Sequence, residues 1–159
     1  MKKILFVCLG NICRSPLAEA IFQNIVDQAE LSSEFLVDSS GTSAWHVGEE
    51  PDPRMQLSAA KHSVPMNHKA QQFQKRHFAD FDLIFAMDQD NYHDITSLTQ
   101  NSDERKKVRL LREFDSEAIN AQAAVPDPYY GGAHGFEDVY QICTRSCEKI
   151  FELIQAKKL

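Results

Sequence analysis

The chain has 159 residues, 43% of them hydrophobic and 25% charged, an ordinary composition for a globular protein that buries a core without disulfide or metal staples. Its net charge of −6 excludes a general nucleic-acid surface, which needs a basic face, although one arginine and a ring of backbone N–H groups can still hold a single anion. The N-terminal apolar run is too short for a signal-peptide core of about 7–15 residues or for a membrane span. No other segment approaches a span, so the expectation is a cytoplasmic protein.

Ile4-Leu5-Phe6-Val7 is a continuous apolar run, the pattern of a strand covered on both faces. From about Pro16 to Glu30, Leu17, Ala20, Ile21 and Ile25 recur at helical spacing. Phe35-Leu36-Val37 predicts a second strand, ending at Asp38-Ser39-Ser40-Gly41. Helical patterns follow near Arg54–His62 and, more briefly, Gln74–Ala79. Asp82 to Met87 predicts a third strand, a helix begins near Gln89, and Val108-Arg109-Leu110-Leu111 predicts a fourth strand. From about Gly135 to Ala156, a last long helix sets Phe136, Val139, Tyr140, Cys143, Cys147, Ile150 and Ile154 along one stripe. No repeat, low-complexity tract or long linker divides the chain, so residues 1–159 are expected to form one domain. Strands alternating with helices predict an α/β fold, a parallel sheet with helices on both faces. In such sheets the ligand site lies outside the carboxyl ends of the strands, here just after Val7, Val37, Ala86 and Leu111.

The four cysteines, Cys8, Cys13, Cys143 and Cys147, read as reduced thiols in a chain without an export signal. Zinc is a poor reading: they do not form two close Cys-x-x-Cys pairs, and no His sits at finger spacing. Cys143 and Cys147 fall at i, i+4 on an apolar stripe and read as core.

The chemistry is concentrated in Cys8-Leu9-Gly10-Asn11-Ile12-Cys13-Arg14-Ser15-Pro16, which joins the first strand to the first helix. Five residues between Cys8 and Arg14 suffice to wrap a loop around one tetrahedral oxyanion. Gly10 and Asn11 tolerate left-handed backbone, which lets successive N–H groups turn inward as a nest. Pro16 suits the first turn of a helix, whose N-terminus favours negative charge. Arg14 offers a planar fork for two phosphate oxygens, and the same positive field favours the thiolate of Cys8. Ser15 offers that sulfur a hydroxyl. Taken singly, these residues are a core cysteine, a solvated arginine and a turn; in one strand–loop–helix they specify an anion loop. A Walker loop is excluded because no Gly-Lys-Ser/Thr is present, and a dinucleotide fingerprint because Gly10 lacks its partner glycines.

Val7 to Pro16 closely resembles the signature of the low-molecular-weight protein tyrosine phosphatases. The likeness continues through Val37-Asp38-Ser39, Thr42-Ser43, Pro65-Met66-Asn67-His68, Ala86-Met87-Asp88 and Asp127-Pro128-Tyr129-Tyr130-Gly131, and so covers essentially the whole chain. The resemblance implies a three-layer sandwich around a four-stranded parallel sheet of order 2-1-3-4. It implies Cys8 as nucleophile, Arg14 as phosphate clamp and Asp127 as general acid. Leu9, Gly10, Asn11, Ile12, Cys13 and Ser15 would form the substrate-binding loop, with Trp45 and Tyr129 as aromatic walls. Ser39 and His68 would support Asn11 from behind, and Asp88 matches a further acidic position near the site. Relatives often carry an Arg two or three residues beyond the His68 position, where this chain has Lys69-Ala70-Gln71; the expected effect is on packing or surface charge.

The reaction implied is hydrolysis of phosphotyrosine through a phosphocysteine, with no metal or cofactor. Phosphate monoesters demand up to about 28 kcal/mol of catalysis. A thiolate and a protonated acid are both needed at the start, so activity should follow a bell-shaped pH curve with an acidic optimum. A sulfenic acid at Cys8 could condense with Cys13, a route to redox regulation. Without the first loop, Pro126-Asp127-Pro128 followed by Gly131-Gly132 would read simply as a turn. The partners implied are phosphotyrosine-containing proteins, bacterial tyrosine kinases among them, and the chain would act as a monomer or weak dimer. Arsenate reductases of this fold need two further cysteines near the end of the third strand, where this chain has Phe85-Ala86-Met87-Asp88. A protein-arginine phosphatase typically has Thr at the Ile12 position, and a non-catalytic phosphotyrosine-binding module would not need Cys8, Arg14 and Asp127 together.

Overall fold

A computed structural model describes residues 1–159, apart from the side chain of Ala133. Four strands, β1 (Lys2–Cys8), β2 (Phe35–Gly41), β3 (Leu83–Ala86) and β4 (Val108–Leu110), form one parallel sheet in the order β2-β1-β3-β4. The central strand β1 is buried on both faces. Ile4, Phe6 and Cys8 join one core and Leu5 and Val7 another, as the period-2 alternation of a strand requires.

The helices α1 (Arg14–Gln28) and α6 (Ala133–Gln155) pack against each other over the first core, and α2 (Pro53–Ala60) rests on α6. The short helices α3 (His77–Asp80) and α4 (Gln89–Thr96) cover the other face with Phe78, Phe81 and Ile95. The stripe expected on the last helix is buried from Phe136 to Ile150, with Ile154 half-buried. The fifth helix, α5 (Ser102–Lys106), is absent from the sequence reading. It has no apolar stripe and is held locally: Asn101 Oδ1 accepts from the N–H groups of Asp103 and Glu104.

Two further departures bear on the site. The first helix begins two residues before Pro16, so Arg14 and Ser15 already lie in its first turn. The end of edge strand β2 is covered rather than open: Gly41 donates to Gln71 O and accepts from Phe73 N. That pairing carries the segment around Gln71 under the loop that follows β1.

Candidate active site

The order reverses at β1, whose neighbours β2 and β3 lead off in opposite directions. The loop after Cys8 opens at that crevice. Its path is set by the backbone that follows β2: Thr42 N donates to Cys8 O at 2.8 Å and Ser43 N to Leu9 O at 2.9 Å. Gly41 permits this approach, since a Cβ there would lie 2.7 Å from the Leu9 carbonyl oxygen.

Asn11 takes the left-handed conformation, φ 58°, which aims its N–H at Cys8 Sγ, 3.2 Å away. Its side chain turns inward and is fully engaged. Nδ2 donates to Ser15 Oγ (2.8 Å) and Ser39 Oγ (3.0 Å), while Oδ1 accepts from His68 Nε2 (2.7 Å) and Gln71 N (2.9 Å). Ser39 Oγ in turn donates to Glu19, which also faces His68 Nδ1 at 3.1 Å. Among the described residues, Glu19, Asp38 and His68 are the one trio close enough to share a metal ion. His68 is already engaged in the brace, its Nε2 by the hydrogen bond to Asn11 and its Nδ1 by facing Glu19.

Ser15 Oγ lies 2.9 Å from Cys8 Sγ. Arg14 is almost entirely buried, and its Nη1 donates to Asp88 Oδ2 at 2.7 Å and to Val125 O at 3.2 Å. Asp88 therefore has a definite position: one oxygen orients the guanidinium, and the other caps α4 through Asn91 N at 2.8 Å. Burial alone would lower the Arg14 value, but the Cys8 sulfur, Asp88 and Asp127 together raise it above the ordinary arginine range, so the clamp stays charged.

Asp127 sits across the cleft, Oδ2 being 3.5 Å from Arg14 Nη2, and its Oδ1 accepts from Tyr129 N at 3.0 Å. The loop that carries it is gripped through main-chain oxygens by three arginines. Arg112 donates to Ala124 O, Arg14 to Val125 O and Arg54 to Tyr129 O. Cys8, Leu9, Gly10, Ile12, Cys13, Arg14, Asp127, Trp45 and Tyr129 all line one cleft of about 70 Å³. Larger grooves exist, up to about 720 Å³ between α2 and the start of α6, but Cys8 and Asp127 line none of them.

Across the described residues, a model of the family "Low molecular weight phosphotyrosine protein phosphatase" matches residues 3–159. The chain belongs to that family. It is 43% identical over 155 residues to the low molecular weight phosphotyrosine protein phosphatase of Sus scrofa, covering 97% of this chain and 96% of that one. Among solved structures, the protein tyrosine phosphatase of Entamoeba histolytica superposes with TM-score 0.94 at 34% identity, covering both chains completely. A Drosophila arginine phosphatase superposes with TM-score 0.88 at 34% identity, over 98% of each chain.

The expected site residues fall at two depths within this phosphatase fold. Asn11 and Ser15 lie beneath the cleft lining, the Asn11 amide turned into the protein and Ser15 already in the first turn of α1. Gly10 does not use the left-handed region, which is taken by Asn11. The constraint on Gly10 is instead the ring of His46, 3.0 Å from where a Cβ would stand. Gln71 acts in the packing beneath the loop: besides its N–H to Asn11, its Nε2 donates to Asp38 Oδ2 (3.0 Å) and Ser39 O (2.9 Å).

Sequence reasoning also missed Gly41 against the phosphate loop, His46 and Tyr130 at the cleft, and the pair Asp52–Arg54 beside it. The first has a signal in Ser39-Ser40-Gly41 at a strand end. Asp52-Pro53 has one in its helix-start pattern, and His46 and Tyr130 carry none. Burial pushes the thiols of Cys13, Cys143 and Cys147 up, Cys143 to about 12, so these three remain protonated at neutral pH. Among the described residues, no helix is long and apolar enough to cross a membrane.

Proposed function

We propose that this member of the phosphatase family hydrolyses phosphotyrosine in proteins, with Cys8, Arg14 and Asp127 as the reacting constellation. The observation that carries the assignment is the placement of Cys8 Sγ on the cleft surface between Ser15 Oγ and Asn11 N, with the charged Arg14 beside it and Asp127 opposite.

A thiolate at Cys8 makes Ser15 the donor in their contact, and the Asn11 N–H adds a second hydrogen bond to sulfur. The sulfur attacks phosphorus in line as the bond to the phenol oxygen breaks, and Asp127 gives its proton to that oxygen. The loop N–H groups and Arg14 take up the charge on the three equatorial oxygens, the largest single contribution to the rate. In the second half, the Asp127 carboxylate takes a proton from water, whose oxygen displaces the sulfur from phosphorus. Orthophosphate leaves and the thiolate is regenerated, with Ser15 easing the departure of sulfur.

Trp45 and Tyr129 line the cleft and suit a flat ring, and Ile12 adds an apolar side chain to the lining. The phosphotyrosine reading is therefore favoured over phosphoarginine, whose flexible cationic stem gains less from two aromatic faces. The substrates are proteins bearing phosphotyrosine, bacterial tyrosine kinases being one candidate group, encountered in the cytoplasm by a chain that acts as one domain, monomeric or weakly dimeric.

The test is a phosphopeptide panel containing phosphotyrosine and phosphoarginine. Cys8→Ser should release no phosphate yet retain substrate capture. Normal turnover by Cys8→Ser, or a preference for phosphoarginine, would overturn the assignment.

A further inference from the structure

The cleft residues account for bond making, but the position of Asp127 rests also on contacts outside the cleft. On the N-terminal side its loop is tied at Ala124 O by Arg112 and at Val125, whose N–H donates to Met87 O and whose O accepts from Arg14. On the C-terminal side, the side-chain tie among the described residues is Arg54 Nη2 to Tyr129 O, 3.1 Å.

Arg54 is itself held. Asp52 caps α2, accepting from Arg54 N at 2.8 Å, and its two oxygens take the guanidinium through Nε at 3.1 Å and Nη2 at 2.8 Å. Pro53 occupies the first helical position, so the α2 start is preformed. The Asp52 N–H donates to Ile12 O in the phosphate-binding loop at 2.8 Å. The Arg54 guanidinium also lies 5.4 Å from the Tyr129 ring centroid and 4.8 Å from that of Phe136, in the first turns of α6. The hydrogen bonds with Arg54, chiefly the side-chain ones, hold the Asp52 carboxyl below its usual range, as an anchored pair requires.

A continuous chain of contacts thus runs Ile12–Asp52–Arg54–Tyr129, joining the loop that holds phosphorus to the loop that holds the acid. We infer that Arg54 is a positioning residue for proton delivery: clamped by Asp52, it latches the Asp127 loop to the phosphate loop and fixes the acid over the leaving oxygen. This rests on the phosphotyrosine-hydrolase reading above and adds to it a residue that touches neither phosphate nor sulfur. Asp127 is 40% exposed along its side chain, so little packing restrains it once the latch is cut.

Proton donation matters most when the leaving phenolate is a strong base and least when it is stabilised, as in a dinitrophenyl phosphate. A latch that aims the acid should therefore reveal itself in leaving-group dependence, whereas a merely structural residue would lower every rate alike. The experiment measures kcat/KM, which reports the steps through P–O cleavage, for Arg54→Ala, Arg54→Met and Asp52→Asn over aryl phosphates from dinitrophenyl to phosphotyrosine. Thermal unfolding monitored alongside identifies any variant that fails to fold. Arg54→Ala should lose about 10- to 100-fold on phosphotyrosine and no more than about 3-fold on the activated ester. Asp52→Asn, which keeps the arginine but loosens its anchor, should show the same pattern more weakly.

Equal losses on all esters in the folded variants, or no loss on any, would overturn the inference. Asp127→Asn separates the two levels of the argument. If it steepens the leaving-group dependence and Arg54→Ala and Arg54→Met do not, the latch alone fails; if Asp127→Asn leaves the dependence flat, the acid assignment fails and the latch with it.

Discussion

Replacing Asn11 with alanine removes the amide from which the phosphate loop is braced, and the cost can be worked from its contacts. Four hydrogen bonds are lost, two donated by Nδ2 and two accepted by Oδ1, at a residue 1% exposed. At about 1 kcal/mol each they total about 4 kcal/mol. Ser15, Ser39 and His68 keep other partners, which lowers the sum, while Gln71 N is left facing a void. Alanine is also about 1 kcal/mol less comfortable than asparagine at φ 58°. The net expectation is a loss of about 3–4 kcal/mol, or roughly 10 °C in melting temperature for a chain of this size. The assay is thermal unfolding with and without orthophosphate, since a ligand that binds only the folded state stabilises it in proportion to its affinity. Asn11→Ala should melt early and gain little from phosphate. Asn11→Asp should keep more of the fold but gain little from phosphate too, because it sets a carboxylate beneath the anion. A melting temperature within about 3 °C of the parent, with full stabilisation by phosphate, would refute the claim that this amide shapes the loop.

Other expectations follow from single contacts. Gly41→Ala sets a Cβ 2.7 Å from Leu9 O, which is main chain and cannot step aside, so it should cost about 1–3 kcal/mol and at least tenfold in activity, measured by denaturant unfolding and steady-state kinetics. Gly10→Ala, whose one close contact is the movable His46 ring, should be milder in stability. Burial would raise the Asp115 carboxyl, but hydrogen bonds from Arg145 and Arg112 outweigh it and bring the value to about 2, against 3.8 for a free group. Its contribution, about 2 kcal/mol, is thus fully present above 3.8 and lost as pH falls through about 2; Asp115→Asn should flatten that part of the stability curve in acid unfolding. After mild peroxide, the Cys8 sulfenic acid should condense with the Cys13 thiol, expelling water and leaving a disulfide reversible by thiol, detectable by mass spectrometry. Accumulation of Cys8 sulfonic acid instead would refute this.

Much of this molecule was legible because its strongest signals are local. The run Ile4–Val7 announces a strand buried on both faces, and the residues from Cys8 to Pro16 contain a nucleophile, a clamp and a helix start within one turn of chain. The α6 stripe was equally readable, since period 3.6 is a property of the sequence itself. What could not be read is what joins distant segments. Asp88 meets Arg14 across 74 positions and Arg54 meets Tyr129 across 75; no periodicity encodes such pairs. The small helix α5 escaped for the opposite reason, being held by an Asn101 cap rather than by any buried face. The contacts of Gln71 escape the sequence for the same reason as those distant pairs, since its N–H, its carbonyl and its side-chain amide all meet segments remote in the chain.

The three guanidinium groups that hold the acid loop do so at Ala124, Val125 and Tyr129 through carbonyl oxygens, atoms common to all twenty amino acids. Side chains along that stretch are thereby released from the duty of keeping its course. Tyr129 could exchange its ring for another flat one that still meets the Arg54 guanidinium, reselecting which phosphoester enters, while the proton donor two positions earlier stays aimed. Recognition and catalysis are separable on this scaffold, and variants that change diet without losing turnover should be sought there first.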